Sequence, residues 1–186
     1  MQIHTHDWLF TLSTYGGMLV LIGWMAVGQW RRARTWKAAA KRLKLRSLGK
    51  DDSGLKGLSR GLGNPDNGRF INVCKGIGPS ETVYIADWMT ERGEKDSSVW
   101  RRTVCFVRKP GMRLPKVGID SEGDSADAVL PEEVRRFFTE RESEHLQALG
   151  QGDVLMLFPD RQLPPEKAAE LLFETLTLAS IWSRGS

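Results

Sequence analysis

Two runs decide how this chain folds: Thr82-Val83-Tyr84-Ile85-Ala86-Asp87-Trp88-Met89-Thr90 and Val99-Trp100-Arg101-Arg102-Thr103-Val104-Cys105-Phe106-Val107-Arg108. Both are rich in β-branched and aromatic residues, and the polar stretch 91–98 between them has the length of a hairpin loop. Pairing Thr90 with Val99 sets Met89 opposite Trp100, Ile85 opposite Val104 and Val83 opposite Phe106, which predicts one consistently apolar face. Asp87 then falls in the middle of that face, where an unpaired carboxylate is expensive to bury. The same register sets Arg102 opposite it, so the reading taken is a structural Asp87–Arg102 ion pair. The alternative makes Asp87 a general acid or base, with His145 as its partner.

Working outward, Arg69 to Lys75, Lys116 to Asp120 and Asp153 to Phe158 read as further strands. Pro131 followed by Glu132 and Glu133 opens a helix whose Val134, Phe137, Phe138, Arg141, His145 and Leu149 share one side. A last helix runs from Pro165 to about Trp182, with Ala168, Leu171, Leu172, Thr175, Leu178, Ala179 and Trp182 as its apolar stripe. Strands first and helices last predict an α+β domain, a mainly antiparallel sheet covered by C-terminal helices, over residues 69–186. Residues 49–68, rich in glycine and turn residues, read as a linker. Gly61-Leu62-Gly63 completes no phosphate-binding pattern.

The N-terminal fifth of the chain is of another kind. From Trp8 to Trp30 there is no Lys, Arg, Asp or Glu. As a helix those residues span about 33 Å, against roughly 30 Å of bilayer hydrocarbon, so residues 8–30 are expected to be a transmembrane helix. Trp8 and Trp30 then lie at its two interfaces, and Ser13-x-x-x-Gly17 supplies a small-residue face on which a partner helix could pack.

Charge orients the span. Residues 1–30 carry a net charge of −1, residues 31–50 carry +9, and residues 51–186 carry −4. Arg31, Arg32 and Arg34 follow the span at once, so residues 1–7 are expected outside and the remainder in the cytoplasm of a bacterial cell, on the inner membrane. Residues 31–48 are expected to continue as a basic helix beside the headgroups. Such a collar can bind anionic lipid or an acidic partner, although the topology signal alone accounts for it. Because the basicity is confined to this collar, the acidic domain gives no support to a nucleic-acid partner.

Cys74 and Cys105 read as buried thiols on strands, and no cysteine and histidine cluster has the spacing of a zinc site. His4-x-His6 offers two ligands at a terminus, too few for a metal, and no histidine lies within the span to hold a haem. No cofactor is expected.

Asn72-Val73 followed by Gly76, the strand Val83 to Trp88, Thr103-Val104, and Phe158 through Leu163-Pro164-Pro165-Glu166 together resemble a family of bacterial single-pass membrane-anchored proteins with a small cytoplasmic α+β domain and no assigned activity. The resemblance covers most of residues 31 to 183 and implies architecture and topology, with no catalytic residues to carry over. The expected function is that of a non-catalytic accessory or scaffold subunit of a larger membrane complex, as respiratory and photosynthetic complexes carry, with the bilayer and a membrane protein as partners. A membrane-tethered hydrolase and a lipid- or ligand-sensing module are the alternatives.

Overall fold

The computed structural model describes residues 5–50, 54–62, 68–91, 99–125, 129–141 and 144–184; the side chains of residues 5–14, 16, 91 and 99 lie outside this set. Alternating apolar residues build β2 (Arg69–Ile77), β3 (Thr82–Glu91), β4 (Val99–Arg108) and β5 (Leu114–Ile119). They are preceded by α1 (Thr5–Arg42), β1 (Arg46–Lys50) and α2 (Gly54–Gly61). After them come α3 (Glu132–Thr139), β6 (Leu146–Gly152), β7 (Val154–Pro159), a 3-10 turn at Pro165–Lys167 and α4 (Ala168–Arg184). The strands form one seven-stranded sheet in the order β1-β2-β3-β4-β7-β6-β5, and each adjacent pair is antiparallel. The α+β fold with an antiparallel sheet and C-terminal helices is as expected.

Both faces of the sheet are apolar. On one, Val83, Ile85, Cys105, Val107, Leu155 and Leu157 meet Trp36 and Ala40 of α1, Phe137 and Phe138 of α3, and the α4 stripe of Leu171, Leu178, Ala179 and Trp182. On the other, Phe70, Ala86, Trp88, Val104, Phe106, Met156 and Phe158 pack with Leu55 of α2 and Leu62. Strands buried on two sides read as continuous apolar runs, which is why all six residues of β7 are buried.

Two-sided burial also corrects the hairpin register. Thr90 lies opposite Trp100, Ile85 opposite Cys105 and Asp87 opposite Thr103, one residue away from the expected pairing. A one-residue slip exchanges the faces of a strand. Here either face of β4 offers apolar partners, so apolar matching could not distinguish the two registers.

Three further segments differ from the sequence reading. The helix from Pro131 ends at Thr139, and 146–152 is strand β6, entered through His145 at a φ of 49°. Leu146, Ala148 and Gly150 alternate inward there, and pairing with both β5 and β7 outweighs the helical spacing. Residues 46–48, expected as helix, belong to β1, which α1 reaches through Lys44 at a φ of 56°. The expected linker contains α2, which places Leu55 in the core; its turn-rich residues 63–67 lie outside the described residues, as do 51–53.

Cys74 and Cys105 are both fully buried and unpaired. Ile85 separates them across the sheet, two strand spacings or about 10 Å, beyond the roughly 7 Å a disulfide tolerates. Burial, aided by the nearby Asp87, pushes the Cys74 thiol up to about 11; burial pushes Cys105 up to about 12, against a lowering hydrogen bond with Thr175. A thiol whose folded pKa exceeds its unfolded value of 9.0 favours the folded state fully below pH 9 and loses that contribution as the pH rises toward 11 to 12. At pH 8 neither cysteine should react with a thiol-alkylating reagent in the folded protein, and both should react in denaturant, as read by intact mass. Alkylation of either one without unfolding contradicts the packing described.

Candidate functional site

Helix α1 turns two kinds of face to its surroundings. Arg32 and Trp36, four residues apart, lie on one stripe and point at the sheet, whereas Trp30 and Arg34 lie on another, with the Arg34 guanidinium 5.7 Å from the exposed Trp30 ring. Below Arg31 the large apolar side chains face outward: Leu19, Val20 and Trp24 are 70%, 72% and 78% exposed. Gly17, Gly23 and Gly28 border open space, where an added Cβ would meet nothing within 4 Å. Trp8 and Ser13 have side chains outside the described set. The transmembrane helix expected over residues 8–30 is not supported here: among the described residues no helix is long and apolar enough to cross a membrane.

Where α1 meets the sheet, Asp87 is completely buried and accepts five hydrogen bonds. Arg32 donates twice in a fork, from Nε to Oδ2 at 2.8 Å and from Nη2 to Oδ1 at 2.7 Å. The Trp36 indole N–H donates to Oδ2 at 3.0 Å, the Asn72 amide to Oδ2 at 2.8 Å, and the Thr103 hydroxyl to Oδ1 at 3.2 Å. Bidentate pairing to a guanidinium is the strongest geometry open to a carboxylate, and the neutral donors fill its remaining lone pairs.

Local backbone geometry delivers these donors. Ile71 pairs with Asp87 and Cys74 with Ile85, so β2 carries one extra residue opposite β3. Asn72 in this bulge has a φ of 55°, a conformation that asparagine accepts more readily than other non-glycine residues. The register that sets Thr103 opposite Asp87 brings up the hydroxyl. The segment before the 3-10 turn closes a ring: the Leu163 N–H donates to Thr103 Oγ1 at 2.9 Å, and its carbonyl accepts from Arg32 Nη2 at 2.8 Å. With its amide oxygen turned toward the guanidinium, Gln162 accepts from Arg32 Nη2 at 3.2 Å and Nε at 3.0 Å. One carboxylate thus joins α1, β2, β3, β4 and the chain entering α4.

The expected Asp87–Arg102 pair is corrected accordingly. Trp88 lies opposite Arg102, which reaches Asp160 at 3.0 Å, an ion pair whose acidic partner is 55% exposed. Arg32, expected at the membrane interface, is instead drawn to the sheet, because a buried carboxylate outcompetes water for a guanidinium. Arg31 and Arg34 remain exposed. His145 is exposed and stands at the entry to β6, which lies three strands from β3 or about 14 Å away, so the structure does not join it to Asp87. No group of three His, Cys, Asp or Glu among the described residues could hold a metal. Asp87 has no surface for a substrate and each of its oxygens already accepts at least two bonds, so its geometry is that of a joint.

Beside the joint lies a cleft of about 700 Å³ between α1 and the sheet. Its lining is of two kinds: Trp24, Met25, Val27, Gly28 and Ile71 are apolar or small, and Arg31, Lys37, Lys50 and Arg101 are basic, with Asn72 and Gln162 among them. Sequence reading missed both the joint and the cleft. The signal for the joint was available: Arg32 stands four residues before Trp36, on the stripe that continues through Ala39, Ala40 and Leu43.

No protein-family model matches this sequence, and no curated protein matches it. Among solved structures, the fold is similar to that of the mycobacterial trehalose monomycolate transport factor A, TtfA, with a TM-score of 0.52 over 82% of this chain and 93% of that one. At 14% identity the likeness is one of fold.

If the joint holds α1 on the sheet, Asp87→Asn should lower unfolding free energy by about 2 to 3 kcal/mol, the low end for breaking a buried pair because the Arg32 side chain is 21% exposed. Combining it with Arg32→Gln should cost less than the two separate losses by about 1 kcal/mol or more. Arg102→Gln should change stability by less than about 0.5 kcal/mol. Urea titrations of the detergent-solubilised chain, followed by circular dichroism, measure all three; an Asp87→Asn loss no larger than that of Arg102→Gln would remove the joint.

Proposed function

We propose that this protein is a non-catalytic accessory or scaffold subunit of a larger membrane protein complex, anchored by the N-terminal part of α1 with its sheet domain on the cytoplasmic side. The observation that carries the reading is the outward apolar length of α1, Tyr15 to Trp30, fixed to the sheet through Arg32 and Trp36. A helix apolar on every side needs an apolar surrounding, and water is not one. The uncharged stretch 8–30, the basic residues that follow it and the open surface at Gly17, Gly23 and Gly28 support a bilayer with room for a neighbouring helix.

The joint supports a scaffold over an enzyme on a tether. A flexible linker would let the domain swing freely, whereas α1 continues from its exposed apolar stretch into the core with no interruption. Domain orientation is then set by orientation of the helix in its complex. The fold neighbour is a trehalose monomycolate transport factor, which supports membrane transport machinery as a setting for the partner beside the energy-transducing complexes considered from the sequence. A hydrolase built on Asp87 finds no support, since the carboxylate is saturated and sealed.

The full chain should sediment with membranes and resist extraction by high salt and by alkaline carbonate, yet dissolve in mild detergent. Affinity purification from that detergent should recover a stoichiometric membrane protein. A chain released by carbonate, or one that purifies alone, contradicts the reading.

A further inference from the structure

The cleft beside the joint is divided by chemistry in a way that a packing defect would not be. On α1 its lining passes from Trp24 and Val27, in the stretch read above as lying in the bilayer, to Arg31 and Lys37, and the sheet adds two further cations, Lys50 of β1 and Arg101 of β4. From Trp24 to Lys37 the helix rises about 20 Å, enough to pass from acyl chains to headgroups. The four basic side chains are exposed, none is joined to a carboxylate among the described residues, and none of the described residues lining the cleft is acidic. By contrast Arg32, in the same wall, is consumed by Asp87. About 700 Å³ is within the roughly 300 to 1,000 Å³ of small-molecule sites.

We infer that this cleft is a binding site for one anionic phospholipid, its phosphate among Lys37, Lys50 and Arg101 and its acyl chains along Trp24 and Val27. The inference rests on the membrane placement proposed above and adds a ligand to it. Charge selects the anionic headgroup: four cations that line one cleft with no carboxylate among its described lining residues suit a phosphate, and the apolar wall beside them distinguishes a lipid from free phosphate. Bound lipid would fill the gap between helix and sheet just below the joint, so that anchor, lipid and domain form one unit.

Native mass spectrometry of the intact chain released from mild detergent, supplemented with phosphatidylglycerol or phosphatidylcholine, tests this. One phosphatidylglycerol per chain should be retained, at least about tenfold over phosphatidylcholine. Lys37→Gln/Lys50→Gln/Arg101→Gln should lose it by tenfold or more, since each basic residue near an anionic surface contributes about a fivefold factor. Lys41→Gln/Arg42→Gln/Arg46→Gln, which removes three exposed charges outside the cleft, should retain it. Equal loss in both triple variants would mean general charge attraction and overturn the site. Equal retention of the two lipids, or displacement of phosphatidylglycerol by millimolar inorganic phosphate, would overturn the lipid assignment. Circular dichroism of each variant confirms that the sheet is intact. A chain that keeps its membrane partner but retains no lipid refutes this inference alone; one that leaves the membrane refutes the reading beneath it.

Discussion

The bidentate contact between Arg32 and Asp87 is the constraint on which the rest of this structure depends. A carboxylate at the centre of a two-sided sheet is tolerable only if its charge is met and its lone pairs are filled. Several local features serve that requirement. The bulge in β2 and the left-handed Asn72 supply an amide, the register of β4 supplies Thr103, and the path of α1 supplies a guanidinium and an indole. Removing the carboxylate would leave Arg32, Trp36, Asn72 and Thr103 each short of an acceptor, and α1, β2 and β4 would lose their common point on β3.

That arrangement changes what the N-terminal helix is. Read from composition, residues 8–30 and 31–48 are an anchor followed by a collar at the membrane surface. In the structure the end of α1 is part of the core, with Trp36 and Ala40 each 1% exposed, while the large apolar side chains described between Tyr15 and Trp30 are uncovered. One continuous helix therefore has an exposed apolar length and a buried end, and the joint lies where they meet. The basic residues divide in the same way: Arg32 turns inward, Arg34 covers Trp30, and Arg31 and Lys37 line the cleft.

Much of the domain was legible in the sequence. Strands at 69–75, 82–90 and 99–108 and the α4 stripe emerge with boundaries within a few residues, because long β-branched runs and a clean helical period are strong local signals. What was not legible has identifiable causes. β1 carries Leu48 as its one large apolar residue and exists through backbone pairing with β2, which composition does not record. α2 is bounded by Gly54 and Gly61 and reads as a linker, although Leu55 and Leu62 keep helical spacing. In 146–152 the residue that ends the helical pattern is His145, not a glycine or proline. The hairpin register failed because matching assumed one apolar face where the fold uses two. The joint was nonetheless half visible: Asn72, Asp87, Thr103 and Leu163 all fall within the short sequence motifs quoted at the outset, and the structure brings those four together.

The central claim, that a single buried carboxylate holds the exposed length of α1 and the sheet domain as one rigid body, is tested most directly by a distance between them. Spin labels at Ala26 on α1 and Lys116 on β5, both exposed, report that distance by pulsed electron resonance in the detergent-solubilised full chain. The account predicts one narrow distance distribution in the otherwise unaltered protein and a broad one when Asp87→Asn is added with the sheet still folded. An equally narrow distribution in both would contradict it.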